Sequence, residues 1–561
     1  MKTDFKLERS LLCITALFLL TSTATFAQIK SIAARVDSVM KLMTLEEKVG
    51  QLNQYSGREA TGPVTSRQTY MLNDIRSGRV GSMLNVHGVK NTKEIQSIAL
   101  QSRLKIPLLF AMDVIHGYRT VFPIPLAEAA SWDLDAIEQA SHIAATESAA
   151  AGLHWTFAPM VDISRDPRWG RIMEGAGEDV YLSSAIAKAR VLGFQGEQLG
   201  KNKESIMACA KHFPGHGDVG VDSHLDLPVI TKSKAQLNDL EFYPFKQLIK
   251  AGVQSVMIAH LSVPALDDTK NLPTTLSKKV VTDLLKKEMG YNGLVFTDAL
   301  DMKGLTKYFP EGEADLRAFM AGNDVLLFSQ NVPLAIGKIQ WAVKTGKLTP
   351  EELEARVKKI LAAKYDVGLY KYSSLNEKNV TADLNSKTNE LREKISRAAV
   401  TVVKDQAAMI NKIKAGKGKI GYININGTGA THLDSVLQKK FPTLTISALP
   451  AKSTSAILKQ LTDKTKDLDI VVVGVHNLAL YPGKNGAYGL DAVQISALQQ
   501  LSQKKNVIFA IMGNAYMVKN ICNARSIVLG YEDDLYSEEA VFEVLTGVLK
   551  AKGTLPVKPC K

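Results

Sequence analysis

A chain of 561 residues, 45% hydrophobic and 22% charged, is too long for one ordinary domain and too apolar for global disorder. Its formal charge of +13 is carried by scattered lysines, with no aromatic interleaving and no nucleic-acid motif, which excludes a dedicated nucleic-acid binder. Only three cysteines follow residue 27, too few for a disulfide framework.

The chain opens with Lys2, Lys6 and Arg9, then an apolar stretch from Leu11 to Leu20 that is too short to anchor in a bilayer. It ends Ala24-Thr25-Phe26-Ala27, with small residues where a signal peptidase cuts. Residues 1–27 therefore read as an export signal, and the mature protein as periplasmic or secreted, with no integral membrane segment. Cys209 lies in an apolar run and is expected to be a buried thiol; Cys522 and Cys560 are left either free or paired.

From residue 28 to 370, short apolar runs alternate with helix-length amphipathic stretches. The runs are Val80–Val86, Pro107–Met112, Trp155–Val161, Ser205–Ala210, Val253–Ala259, Gly293–Thr297 and Asp324–Phe328. This alternation predicts a parallel sheet, and seven units over this length suit an α/β fold of the (β/α)8 TIM-barrel type with one irregular unit. Residues 371–395 are polar and read as a linker. From 396 to 561 the alternation resumes, with strands predicted at Lys419–Ile425, Thr443–Leu449, Asp469–Val475, Asn506–Met512 and Ser526–Gly530. That pattern predicts a smaller, doubly wound α/β sandwich domain.

Polar residues stand where the apolar runs stop. Asp113 ends the second, Asp162 the third, Lys211 and His212 the fourth, His260 the fifth and Asp298 the sixth. In a parallel barrel these ends share one face, so residues distant in sequence converge on one pocket. Asp298 is the sharpest case: a carboxylate at the end of a buried strand is costly unless it is solvated or used. The bland explanation is a helix N-cap for a segment starting near Ala299.

The densest cluster is Lys211-His212-Phe213-Pro214-Gly215-His216-Gly217-Asp218, followed by Asp222-Ser223-His224. Its glycines and proline predict a shaped loop. On such a loop Asp222 can accept from one nitrogen of the His224 imidazole and orient the other, which tunes His224 as an acid/base near neutral pH. A second cluster, Arg165 to Arg171, sets three arginines around Trp169. It suits a surface that grips hydroxyl-rich ligands, or a loop salt-bridged to Glu174, Glu178 and Asp179.

Met112-Asp113-Val114-Ile115-His116-Gly117, the Arg165–Arg171 run, Gly177-Glu178-Asp179, Lys211-His212 and Thr297-Asp298 together resemble family 3 glycoside hydrolases. The resemblance covers the barrel and, more weakly, the second domain. It implies that Asp298 is the nucleophile and that Asp113, Arg171, Lys211 and His212 hold the sugar. It implies no cofactor. The run from Lys211 to His224 is similar to the β-N-acetylglucosaminidase branch, whose loop supplies an Asp–His acid/base; here that is Asp222 and His224. β-Glucosidase relatives usually have tryptophan after the nucleophile, where this chain has Ala299. They also take a glutamate acid from the second domain, and Gly483–Gln494 contains none. The Asp113–Gly117 and Arg165–Arg171 motifs look more like the β-glucosidase side.

The expected activity is a retaining exo-glycosidase that releases terminal β-linked N-acetylglucosamine from peptidoglycan fragments or chitooligosaccharides; β-glucosidase is the alternative. Two further classes stay open. In a metal-dependent barrel hydrolase, His212, His216, His224, His260 and Asp298 would be the ligands, but no HxH follows the first strand and no carboxylate-rich clamp appears. The other is a carbohydrate-binding barrel without catalysis. Oligomeric state and the second domain's role are not written in the sequence.

Overall fold

The computed structural model describes residues 32–57, 66–197, 199–200, 204–220, 223–371 and 388–560. The export signal, Asp222 and most of the stretch read as a linker lie outside the described residues. Eight short strands form the first domain: β1 (Asn53–Ser56), β2 (Ser82–Leu84), β3 (Leu109–Met112), β4 (Trp155–Thr156), β5 (Cys209–Phe213), β6 (Ser255–Ile258), β7 (Leu294–Thr297) and β8 (Leu326–Leu327). They pair in parallel as β4-β3-β2-β1-β8 and β5-β6-β7. Parallel bridges Trp155↔Met207 and Phe296↔Val325 join the two sheets at both seams and close the barrel.

Seven of these strands overlap or adjoin the apolar runs. β1 does not, because it reads Asn-Gln-Tyr-Ser. Its first three residues are buried all the same, so the eighth strand is set by the geometry of closure and not by its own hydrophobicity. The interior is packed. Trp155, Phe157 and Phe296 meet with ring centroids 4.5–4.9 Å apart, and the Trp155 indole N–H donates to Ser255 Oγ at 2.7 Å. Burying each such ring contributes roughly 1.5–3 kcal/mol, which leaves the polar chemistry to the strand ends. Cys209 is a free, fully buried thiol, pushed up to about 12 by burial and so inert.

The second domain holds β9 (Thr401–Asp405), β10 (Ile420–Ile425), β11 (Thr445–Leu449), β12 (Ile470–Val475), β13 (Val507–Ile511) and β14 (Ser526–Leu529), in the order β11-β10-β12-β13-β14-β9. Five strands are parallel, and β9 pairs antiparallel with β14 at one edge. Alternate residues bury on opposite faces: Ile423, Val473 and Phe509 join the cluster continuous with the barrel, whereas Tyr422, Val472 and Ile508 join a separate outer cluster. Both faces are therefore covered, as a doubly wound sheet requires. Residues 388–395, read as the end of the linker, belong to a helix, Thr388–Ala399. Its buried Leu391, Ile395 and Ala399 recur every four residues among polar neighbours. Among the described residues no helix is long and apolar enough to cross a membrane.

The two domains are strapped together by the C-terminal tail. Thr554 N–H donates to Ala130 O at 3.0 Å, Glu178 N–H to Pro556 O at 3.0 Å, and Lys558 N–H to the Glu178 carboxylate at 3.0 Å. The tail is then tied back to the second domain by a Cys522–Cys560 disulfide, which settles the pairing the sequence left open. The bond closes 38 residues, so chain entropy sets its stabilising contribution at up to about 4 kcal/mol. Cys522→Ser should lower the unfolding midpoint measurably, and dithiothreitol should lower that of the parent protein alike. A midpoint unmoved by either treatment would mean that the backbone contacts alone hold the tail.

Candidate active site

Asp298 directly follows β7 and is buried. Its Oδ1 accepts from the Ala299 N–H at 2.8 Å, and its Oδ2 has no hydrogen-bond partner among the described residues. It is not a helix cap: the next helix starts at Lys303, with Met302 at the capping position. A buried carboxylate oxygen left open in this way costs stability and is characteristic of a working group. Burial alone would raise its pKa. The surrounding groups, the Arg171 cation and the Ala299 N–H among them, outweigh burial and hold the carboxyl below the ordinary aspartate value.

Arg171 grips Glu174 with two parallel bonds of 2.9 and 2.7 Å and points its remaining terminal nitrogen at His212 Nε2, 3.0 Å away. Guanidinium only donates, so His212 Nε2 must accept and its ring proton must sit on Nδ1. That proton is donated to Asp162 Oδ2 at 2.7 Å. Burial and the neighbouring Arg171 push His212 far below the usual histidine range, so it is neutral and Arg171 is the permanent cation facing Asp298. Burial would raise the Glu174 pKa, but Arg171 pulls it down to about 2. Lys211 Nζ donates to Asp113 Oδ1 at 2.7 Å. Asp113, Asp162, Arg171, Lys211, His212 and Asp298 thus form one connected site at the barrel mouth.

The other two arginines are salt-bridged as the sequence allowed, but with partners it did not indicate: Arg168 with Asp166 and Arg165 with Glu241. His260 is buried behind Asp298; its ring nitrogens meet Thr275 Oγ1 at 2.7 Å and Ala299 O at 2.9 Å. With both nitrogens of His212 and of His260 engaged inside the protein, neither is open to a metal. His216 stacks on Trp169 with centroids 5.3 Å apart and meets Ser223 Oγ at 3.0 Å, and Ser223 O accepts from Gly304 N–H at 3.1 Å. These bonds tie the loop to the short helix that follows the nucleophile's strand. His224 is exposed there, close enough for its charge to act on His260, as the Asp298 charge does. The loop's other expected member, Asp222, lies outside the described residues.

Sequence reasoning placed Asp162 and His260 only among the strand-end residues, His260 also as a possible metal ligand and Glu174 as a salt-bridge candidate; it gave no role to Thr275 and left that of the second domain open. Tyr481, on the loop after β12, rests against Gly170; a Cβ built at Gly170 would stand 3.0 Å from the Tyr481 ring. Leu480 and Tyr481 are both more than half exposed. The second domain therefore borders the cleft beside Arg171.

The low pKa of Asp298 has a direct consequence for pH dependence. Only the carboxylate can attack, so activity is lost as pH falls through the folded pKa, which lies below the ordinary aspartate value. The acid limb of kcat/KM should accordingly have its midpoint below that of an ordinary aspartate. A nucleophile limb with its midpoint near pH 5 or above would contradict this electrostatic arrangement.

Residues 44–363 match the Glycosyl hydrolase family 3 N terminal domain. The chain belongs to glycoside hydrolase family 3. It is 34% identical over 395 residues to the periplasmic beta-glucosidase of Salmonella typhimurium, covering 68% of this chain and 49% of that protein, so it spans about half of that relative's length. Its fold is similar to a family 3 beta-N-acetylglucosaminidase from Paenibacillus, with a TM-score of 0.75 and 26% identity over 92% of this chain and 99% of that one. It is equally similar to a beta-glucosidase from Listeria innocua, with a TM-score of 0.77 and 25% identity over 94% of this chain and 76% of that one. The relatives divide between glucosides and amino sugars and do not single out the branch to which the Lys211–His224 loop points.

Proposed function

We propose that this chain is a retaining exo-glycosidase that removes a terminal β-linked sugar through a covalent intermediate on Asp298. The observation that carries this reading is the buried Asp298 carboxylate, held ionised by its surroundings, with one oxygen unengaged. Asp298 Oδ2 attacks the anomeric carbon while the bond to the leaving oxygen breaks. Arg171, Lys211 and Asp113 hold the sugar hydroxyls. His224, oriented by Asp222, gives its proton to the leaving oxygen and then takes one from the water that releases the sugar, so two inversions leave the configuration unchanged.

For the sugar itself, the 34% identity to a beta-glucosidase and the Asp113–Gly117 and Arg165–Arg171 motifs support a terminal β-glucoside. The second reading, N-acetylglucosamine from cell-wall fragments or chitooligosaccharides, is supported by the Lys211–His224 loop and by the absence of glutamate in Gly483–Gln494. Rates on an aryl β-glucoside and an aryl N-acetyl-β-glucosaminide, measured side by side, decide between them. A kcat/KM at least about tenfold higher on the glucoside, worth 1.4 kcal/mol in the transition state, is the expected result; the reverse ratio establishes the amino sugar. Turnover of neither by the folded protein would leave a carbohydrate-binding barrel.

A further inference from the structure

The loop stem Pro214–Asp218 is held by an ion cluster that the chemistry above does not use. Lys232 Nζ lies 2.5 Å from Asp218 Oδ2, on the loop, and 2.5 Å from Glu241 Oε1, at the N-cap of the helix Phe242–Lys250. Arg165 Nη1 shares the same Glu241 oxygen at 3.2 Å. Glu241 is only 3% exposed, so this is not a solvated surface pair of the kind that contributes little. The loop stem is also packed without slack. Gly215, at φ +120°, lies so close to Glu241 that a Cβ would stand 2.7 Å from the Glu241 Cβ. Gly217 O accepts from the N–H of Arg165 at 3.1 Å and of Asp166 at 3.4 Å. Beyond Asp218, Gly220 abuts the exposed Arg168 guanidinium, and Ser223 is held separately by His216 and the Gly304 N–H.

We infer that Lys232 is a positioning residue: through Asp218 it tethers the loop and sets how His224 meets the glycosidic oxygen, an inference that rests on the acid role proposed for His224. A tether acts on presentation of the proton and not on the sugar. Its loss should therefore be felt where leaving-group protonation limits the rate and not where departure is easy.

The test uses the full chain with Lys232→Met, Lys232→Arg and Asp218→Ala. Asp218→Ala cuts the tether while leaving Lys232, Glu241 and Arg165 paired, so it guards against a folding defect caused by stranding Glu241. Hydrogen exchange should quicken at Gly215–Gly220 in the Met and Ala variants. Their kcat/KM should fall about tenfold on an alkyl glycoside and less than about threefold on a dinitrophenyl glycoside, with Lys232→Arg partly restored. Unchanged exchange would overturn the tether and leave His224 untouched. Faster exchange with equal losses on both glycosides, repeated in His224→Ala, would overturn the acid role and the positioning claim with it.

Discussion

Asp298→Ala should abolish turnover, with a loss on the order of 10⁴-fold or more in kcat. Among the described residues the side chain makes one hydrogen bond, to its neighbour's N–H, and no salt bridge, so its removal should leave the fold and sugar binding intact. What disappears is a buried carboxylate oxygen, directly after β7, that has no hydrogen-bond partner among the described residues. A small nucleophile such as azide should then restore turnover of an activated aryl glycoside and give a product of inverted configuration. A folded Asp298→Ala protein with more than about a hundredth of the parent activity, and no response to azide, would remove Asp298 from the chemistry.

His224→Ala should have the second largest effect, and the effect should depend on the aglycone. General acid assistance contributes roughly 10²–10⁴-fold when the leaving oxygen is basic. Loss of kcat/KM should therefore approach that range on alkyl glycosides and stay below about tenfold on dinitrophenyl glycosides, which depart without a proton. The distinction belongs in kcat/KM, which reports bond cleavage. On activated substrates kcat also falls, because release of the sugar from Asp298 has lost its base. Equal losses in kcat/KM on both classes would mean that His224 serves the loop's structure and not proton transfer.

Much of the barrel was legible because its strands are buried on both faces and read as apolar runs with a polar stop. That same stop brought Asp113, Lys211, His212 and Asp298 to attention. The structure joins two of them directly, Lys211 to Asp113, across 98 positions of chain. β1 was not legible, since a strand of Asn, Gln, Tyr and Ser carries no apolar signal and is recognised only once its neighbours are in place. Glu174 was visible merely as a salt-bridge candidate. Its function in fixing Arg171, so that Arg171 can reach His212 and act on Asp298, depends on a loop conformation that spacing does not encode. The place of Tyr481 beside Gly170 depends on how one domain packs against another, and no local pattern records that. The Arg165–Glu241–Lys232–Asp218 cluster escaped because it joins residues up to 76 positions apart within the barrel domain, which no local pattern records.

The most direct measurement is to trap the intermediate. A fluorinated aryl glycoside of the preferred sugar, whose fluorine slows the second step more than the first, should inactivate the protein with stoichiometric release of the aryl group. Mass spectrometry of the digest should place one glycosyl group on the peptide that contains Asp298. Attachment to a different side chain, or steady turnover to product of inverted configuration with no adduct, would contradict a covalent mechanism centred on Asp298.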